Sequence, residues 1–112
     1  MALLETYFEK MQAADAAGLA DLFCENGVLH DTTWAHAGGK TMHLVGRMAV
    51  EMMFHHKFGF NGGKPFPIHA VKLTEPNIAW YYITINGIVV PAIAYLSSEK
   101  DGKIDRLNIL TL

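Results

Sequence analysis

Apolar positions near the start of the chain follow a helical spacing and then switch to the alternation of a strand. The first predicted helix has one apolar face, formed by Leu4, Tyr7, Phe8 and Met11. Asp15 has the residue type and position of a helix N-cap, and the short helix after it has an apolar stripe of Leu19, Leu22 and Phe23. Asn26-Gly27 is expected to end that helix, so residues 28–31 are predicted to form a strand.

The middle of the chain predicts a loop followed by a third helix. Residues 32–42 have two adjacent glycines and few periodic apolar positions, which is typical of a loop. Residues 46–58 return to helical spacing. Four large side chains of this helix are expected to face the interior: Met48 and Met52 from one side, Met53 and Phe54 from another.

The second half of the chain predicts antiparallel strands. The segments are residues 68–73, 78–85, 88–96 and 104–110. Residues 78–85, IAWYYITI, are apolar at both odd and even positions, so we expect both faces of this strand to be covered. Asn86-Gly87 is the strongest hairpin signal in the sequence. Pro91 conflicts with a central strand because proline has no N–H, and we expect a bulge or a bend there.

Composition sets the class of protein. The chain has 112 residues, enough for a single domain spanning residues 1–112. Hydrophobic residues make up 51% and charged residues 18%, so the chain can fill a core and still leave apolar surface for a cavity or a partner. A net charge of -2 without a basic run argues against binding to nucleic acid or to an acidic membrane.

Cysteine content and hydropathy give the expected compartment. One cysteine excludes an internal disulfide, and the N-terminus lacks an apolar run with a basic start. The longest apolar run, residues 88–96, is too short to span a bilayer and contains a proline. We therefore expect a cytoplasmic protein.

Two polar residues stand out within these apolar patterns. Helical phase turns Tyr7 inward, where its hydroxyl needs a partner. Strand alternation requires that either His30 or Asp31 faces the core, and parity alone does not decide between them. A carboxylate surrounded by apolar groups would have a raised pKa and would suit a general base, and a buried phenol would suit hydrogen bonding to a developing oxyanion. The alternatives are a core tyrosine and an aspartate that caps the following loop.

Several segments in this order resemble the nuclear transport factor 2-like superfamily, which includes SnoaL-type polyketide cyclases, ketosteroid isomerases and scytalone dehydratase. The segments are the helix with Tyr7, the turn at Asp15, LFCENGVLHD at 22–31, VGRMAVEMMF at 45–54 and DGKIDRLNIL at 101–110. The resemblance implies an α+β fold in which a cone-shaped, curved antiparallel sheet wraps around three N-terminal helices. It also favours Asp31 over His30, because isomerases carry a tyrosine on the first helix and a catalytic aspartate at the end of the first strand.

The resemblance suggests a site without a cofactor. Asp31 would act as the base and Tyr7 as the hydrogen-bond donor, with Trp34, Phe54 and Tyr81 as pocket walls. Met52 is a further expected wall. Isomerases also place a second acid on a late strand, but residues 88–96 contain none, and the matching position falls near Ala94. His30, His43 or Tyr81 would then supply the second polar group.

Two other kinds of site are disfavoured. Gly39-Lys40-Thr41 resembles the end of a phosphate-binding loop, but Trp34 stands where the leading glycine belongs. The six histidines lack the spacings typical of zinc ligands, so no metal is expected.

Two hypotheses follow for the function. The first is an isomerase, cyclase or dehydratase that acts on a small hydrophobic molecule. The second is a non-catalytic module that binds a hydrophobic ligand or serves in assembly. Either protein would be a homodimer, because one face of the predicted sheet has large apolar groups and no element left to cover it.

Overall fold

The computed structural model describes residues 3–112, in which the helices pack against one face of a curved sheet of six strands that does not close into a barrel. In chain order the elements are α1 (Leu3–Gln12), α2 (Ala16–Asp21), β1 (Phe23–Asp31), α3 (Thr33–His36), β2 (Met42–Val45), α4 (Arg47–Phe60), β3 (Ile68–Glu75), β4 (Ile78–Ile85), β5 (Ile88–Lys100) and β6 (Lys103–Thr111). The predicted α+β class is confirmed.

The strand order places the chain's first strand beside its last. The sheet runs β2-β1-β6-β5-β4-β3, and all pairings are antiparallel except β1 with β6, which is parallel. Strands β3 to β6 form a meander, and this meander brings β6 back to β1. The end of β1 is therefore held between β2 and β6 rather than at an edge.

The first helix and the start of the second are as predicted, but α2 ends at Asp21, so Leu22 and Phe23 of its expected stripe lie outside it. The apolar face of α1 is buried, with Leu4, Tyr7, Phe8 and Met11 all in the core. Asp15 caps α2, because its Oδ1 accepts a hydrogen bond of 2.8 Å from the Gly18 N–H. The residue type at position 15 therefore predicted correctly where α2 begins.

The first strand is longer than its pattern suggests. It starts at Phe23, and the expectation that Asn26-Gly27 ends a helix is wrong. These two residues lie in β1 where its register against β6 shifts, between Phe23 and Val28. A side chain at Gly27 would meet the Ile104 carbonyl oxygen, so glycine is needed here for a close backbone approach rather than for a helix end.

The stretch predicted as a loop, residues 32–42, contains one helical turn, and a short strand begins at its last residue. The single turn α3 begins directly after β1, and β2 pairs with β1 as an edge strand. Four-residue elements carry too little periodicity to be recognised from sequence. The structure of these residues depends on their contacts with β1: β2 pairs with this strand, and the start of α3 is bonded to Asp31.

The third predicted helix is present as α4, but its phase differs from the prediction. Its buried face comprises Val50, Phe54 and Phe58. Met48 and Met52 are 76% and 66% exposed, so the expectation that they face the interior is wrong. Positions 50, 54 and 58 form one i, i+4 stripe, and methionines at 48 and 52 lie nearly opposite to it on the helix.

The Asn86-Gly87 hairpin is confirmed. Both residues have positive φ, 52° and 78°, as a two-residue hairpin loop of the common kind requires. The bulge expected at Pro91 is not found, since β4 and β5 pair without a register shift. The Pro91 carbonyl accepts from the Leu112 N–H, so the proline nitrogen faces the end of β6 and costs β4 no hydrogen bond.

The two faces of the sheet differ in coverage. The inner face packs on the helices and forms the core. The outer face is open within this chain, and its large exposed side chains are Trp80, Tyr82, Val89, Tyr95 and Leu110. The expectation that residues 78–85 are covered on both sides thus holds, within one chain, only for the side that carries Ala79, Tyr81 and Ile83.

None of the helices within residues 3–112 is long and apolar enough to cross a membrane.

Two glycine-to-alanine substitutions should have opposite effects on stability. In Gly27→Ala the new Cβ would lie 2.6 Å from the Ile104 carbonyl oxygen, which forces the strands apart and should lower the free energy of unfolding by about 1–3 kcal/mol. In Gly59→Ala, within α4, the Cβ meets open space, and the helix should gain about 0.5–1 kcal/mol. Denaturant unfolding measures both. Equal effects of the two changes would contradict the close approach at Gly27.

Candidate functional site

Asp31 is the last residue of β1 and faces the core. Its neighbours in register are Met42 on β2 and Ile109 on β6. It is 3% exposed, and strand alternation places Leu29 on the same inner face and His30 on the outer face. The structure thus resolves the parity question in favour of Asp31.

Both carboxylate oxygens of Asp31 accept hydrogen bonds from the turn that follows. Oδ1 accepts from the Thr33 N–H at 2.9 Å and from the Thr33 hydroxyl at 2.5 Å. Oδ2 accepts from the Trp34 indole N–H at 3.1 Å. Aspartate favours such bonds to residues two or three positions ahead, which explains why α3 begins here. Asp31 therefore caps the turn and is also buried.

Burial dominates the electrostatics of this carboxylate. Desolvation raises the pKa of Asp31 from 3.8 to about 6, although the bonds from Thr33 and Trp34 and the charge of Lys57 act in the opposite direction. A carboxyl group that titrates near neutral pH can accept and return a proton, as a general base or acid must.

Two buried phenols share the interior with Asp31. Tyr7 comes from α1 and Tyr81 from β4, and the Phe8 ring contacts both, with centroids at 5.7 Å and 4.8 Å. Burial, and then the charge of Asp31, raise the pKa of Tyr7 well above its usual value. The pKa of Tyr81 is raised in the same way, mainly by burial and then by the charge of Asp31. Both phenols are thus neutral hydrogen-bond donors at neutral pH, within the electric field of the carboxylate.

The Tyr7 hydroxyl has no hydrogen-bond partner among residues 3–112, although the side chain is buried. A buried, unpaired hydroxyl costs about 1–3 kcal/mol relative to a paired one. A ligand that accepts a hydrogen bond from this hydroxyl would remove that cost.

Trp34 separates Asp31 from the surface. It is 2% exposed, its ring edge meets Phe66 with centroids 4.8 Å apart, and the Lys57 Nζ lies 4.8 Å from the ring centroid. Beyond the ring lies a cavity of about 260 Å³ whose lining includes Trp34, Lys57, Phe60 and Phe66 but neither Tyr7 nor Asp31. In this conformation Trp34 closes the path from the cavity to the carboxylate.

The structure brings five of the eight sequence-predicted site residues into one interior. Asp31, Tyr7, Trp34, Phe54 and Tyr81 are all buried in the core. Three others do not line that interior: His30, His43 and Met52.

The three misplaced residues have simple geometric explanations. His30 and His43 are paired across β1 and β2 on the outer face, with their Nδ1 atoms 3.2 Å apart, because each alternates with a buried neighbour. Met52 is exposed because of the phase of α4. The proposal that one of the histidines supplies the second polar group inside is therefore wrong, and Tyr81 remains for that role.

Sequence reasoning missed Thr33, Lys57 and Phe66. The Asp-x-Thr spacing was a signal for Thr33, since such a turn fixes the carboxylate. Lys57 lies three positions after Phe54 on α4. Had the buried face of this helix been predicted correctly, Lys57 would have been placed beside Phe54 on the same side of the helix. Phe66 follows a turn-rich segment and carried no signal. No group of three or more histidine, cysteine, aspartate or glutamate side chains within residues 3–112 is arranged to hold a metal ion.

The buried carboxylate should make stability fall as pH rises. Between pH 4 and 6 the unfolded chain ionises Asp31 while the folded chain still holds the proton, so the folded state loses stability over this range. The rise in pKa from 3.8 to about 6 corresponds to about 3 kcal/mol. This contribution is fully present below pH 4 and lost above pH 6.

Urea unfolding at several pH values tests this for the wild type, Asp31→Asn and Asp101→Asn. The first variant should lack the decrease between pH 4 and 7, while Asp101→Asn, an exposed turn position, should keep it. A wild-type profile that is parallel to that of Asp31→Asn would show that Asp31 is not desolvated.

Comparison with known proteins relates the chain to solved structures only. No protein-family model and no curated protein matches the sequence. Among the similar structures is an NTF-2 like protein of unknown function from Burkholderia xenovorans, with a TM-score of 0.66, 19% identity and coverage of 97% of this chain and 79% of that one.

Two further structures carry more specific descriptions. A SnoaL-like protein of unknown function from Burkholderia thailandensis has a TM-score of 0.67 and 10% identity, covering 97% of this chain and 91% of that one. A putative ketosteroid isomerase from Kribbella flavida has a TM-score of 0.64 and 17% identity, covering 99% of this chain and 76% of that one. The chain therefore has the fold of nuclear transport factor 2-like proteins, the fold that these SnoaL-like and ketosteroid isomerase-like structures share.

Proposed function

We propose that the protein binds a small hydrophobic molecule and catalyses an acid–base reaction beside a carbonyl group of that molecule. One observation carries the proposal: a buried carboxylate with a pKa of about 6 lies among neutral phenols, one of which has no partner within the described residues. A base near neutrality and a donor for the developing oxyanion are the two groups that enolisation requires. Isomerisation, cyclisation and dehydration all proceed through this step.

Each residue has a role in the proposed reaction. Within residues 3–112, Asp31 Oδ2 accepts a hydrogen bond only from the Trp34 indole N–H, and it takes the proton from the carbon next to the carbonyl. The Tyr7 hydroxyl donates to the carbonyl oxygen as negative charge develops on it, and Tyr81 takes the place of the second acid of ketosteroid isomerases. Protonated Asp31 then returns the proton to another carbon or to a leaving hydroxyl. Thr33 holds Oδ1 and is a positioning residue.

Access to the carboxylate requires Trp34 to move. The ring bonds to Asp31 through a single N–H and otherwise packs on Phe66 and Lys57. A flat apolar ligand can replace these contacts. Once bound, it would keep water away from the carboxylate, as the indole ring does in the closed conformation. The apolar walls, including Phe54, favour a hydrophobic substrate.

A non-catalytic module is the second candidate. The observation in its favour is that Asp31 is already occupied by three hydrogen bonds from its own turn, as a purely structural cap would be. In that case Trp34 would remain closed, and the outer face of the sheet would carry the function through assembly.

Deuterium exchange at the carbon beside a ketone distinguishes these candidates. The probe is 2-tetralone in D₂O near neutral pH, followed by NMR. The wild type should accelerate exchange over buffer, and Asp31→Asn should lose about 10²- to 10⁴-fold of the rate because the base is gone. The exposed carboxylate variant Asp101→Asn should exchange at the wild-type rate.

Tyr7→Phe separates catalysis from folding. Loss of the phenol should slow exchange by about tenfold or more while raising the free energy of unfolding by about 1 kcal/mol, since an unpaired buried hydroxyl is removed. A structural tyrosine would show the reverse, with lower stability and no kinetic effect. Equal exchange in the wild type and in Asp31→Asn would refute the catalytic role and leave the non-catalytic module.

We also propose that the protein forms a homodimer through the outer face of the sheet. Trp80, Tyr82, Val89, Tyr95 and Leu110 are 39–54% exposed there on three adjacent strands. Stable interfaces bury about 800 Å² per partner with aromatic side chains at the centre, and a face of this kind is suited to such a contact.

Light scattering after size exclusion tests the dimer. The wild type should have twice the mass of the chain, and Leu110→Lys should shift it toward monomer because it places a charge in the middle of the apolar face. Met48→Lys, at an exposed position of α4 outside that face, is the matched control and should leave the mass unchanged. A monomeric wild type at high concentration would rule out this interface.

A further inference from the structure

Two neighbouring cavities lie beyond Trp34, at the C-terminal half of α4. Their volumes are about 260 and 440 Å³, and they share Gly39, His56 and Lys57 in their walls. The smaller one adds the apolar groups of Trp34, Phe60 and Phe66. This volume is just below the range of pockets that hold drug-sized ligands, so it suits a small molecule with one or two rings.

The charge of these walls differs from that of the rest of the surface. The chain carries 11 acidic and 9 basic residues, and three other cavities are each lined by at least two acidic side chains. No acidic residue of the described chain lines the two cavities beyond Trp34, whereas Lys57 and Lys40 do. The entrance to the candidate site is therefore electropositive in a protein of negative net charge.

Lys57 is the central cation of this entrance. It is half-buried, its Nζ lies 4.8 Å from the centroid of the Trp34 ring, and it forms no ion pair with a carboxylate within residues 3–112. Lys57 acts on Asp31 through its charge but is not in contact with that carboxylate, so its ammonium group can still form a direct pair with an anion on a ligand. Among the described residues, Lys57 is the single lysine in the walls of the smaller cavity, which include no arginine. One such cation fits a carboxylate better than a phosphate, which usually takes several donors.

We propose that the cavity bounded by Trp34, Lys57, Phe60 and Phe66 binds small carboxylates with an aromatic or similarly apolar body. The carboxylate pairs with Lys57, and the ring replaces part of the contact between Trp34 and Phe66. This inference deepens the proposed function, on which its last step rests: the bound acid displaces Trp34 and presents its carbonyl-bearing carbon to Asp31. The substrate class would then be a keto or unsaturated acid rather than a neutral ketone.

Fluorescence of Trp34 reports binding directly. The chain has two tryptophans, and Trp80→Phe on the outer face leaves Trp34 as the sole tryptophan, whose fluorescence is excited at longer wavelengths than that of tyrosine. In this background we compare phenylacetate with phenylacetamide, which has the same shape but no charge. Phenylacetate should bind at least about tenfold more tightly, as a charge-assisted hydrogen bond predicts.

Substitutions at Lys57 test the pairing. Lys57→Met keeps the stem against the indole and should lower phenylacetate affinity about tenfold, to that of the amide. Lys57→Arg should restore the preference. Lys64→Met removes an exposed charge that lines neither cavity and should behave as the wild type.

Three results would contradict binding of a carboxylate at Lys57. Equal affinities for acid and amide, unchanged phenylacetate binding in Lys57→Met, or no saturable Trp34 response to phenylacetate would overturn the inference. Asp31→Asn removes a carboxylate on which the charge of Lys57 acts but leaves the walls of both cavities unchanged, so this variant should still prefer the acid to the amide. If that preference is found but 2-tetralone and phenylpyruvate show no Asp31-dependent exchange, the binding site stands and the catalytic function fails.

Discussion

The buried carboxylate of Asp31 is the constraint on which the rest of the structure depends. Desolvation of this group opposes folding at neutral pH, and three hydrogen bonds from Thr33 and Trp34 offset part of the cost. Those bonds also lie at the start of α3 and hold the Trp34 indole against Asp31, and the Lys57 Nζ from α4 lies 4.8 Å from the centroid of that ring. One polar group thus organises both the closed state of the site and its entrance.

The phenols complete this arrangement in different ways. Tyr81 lies on β4, which is paired on both sides, and Tyr7 lies on α1, whose buried apolar face fixes the orientation of the helix. Within the described residues the Tyr7 hydroxyl is unpaired and the Asp31 carboxylate is desolvated, and both features are unfavourable for stability. Local costs of this kind are typical of functional sites, where a ligand or a transition state supplies the missing interaction. Trp34 belongs to both places, because it lines the outer cavity and its indole N–H donates to Asp31.

Much of the fold was predictable because it rests on local patterns. The buried stripe of α1, the Asp15 cap and the Asn86-Gly87 hairpin each depend on residues close in sequence. The errors arose where partners are distant. Asn26-Gly27 looked like a helix end, but the irregular pairing with β6 and the approach of Ile104 decided its structure. The phase of α4 depended on which aromatic side chains the sheet could accept, so Met52 was placed on the wrong side.

By itself the sequence determined that Tyr7 faces inward and that His30 or Asp31 is the second candidate group, because helical and strand periodicity orient side chains without reference to the rest of the chain. It left open whether His30 or Asp31 faces inward, and it had no signal for Lys57 at the entrance. Only the tertiary structure decided these points. The face that β1 turns to the core follows from its position between β2 and β6, and the pKa of Asp31 follows from burial by side chains that are far apart in sequence.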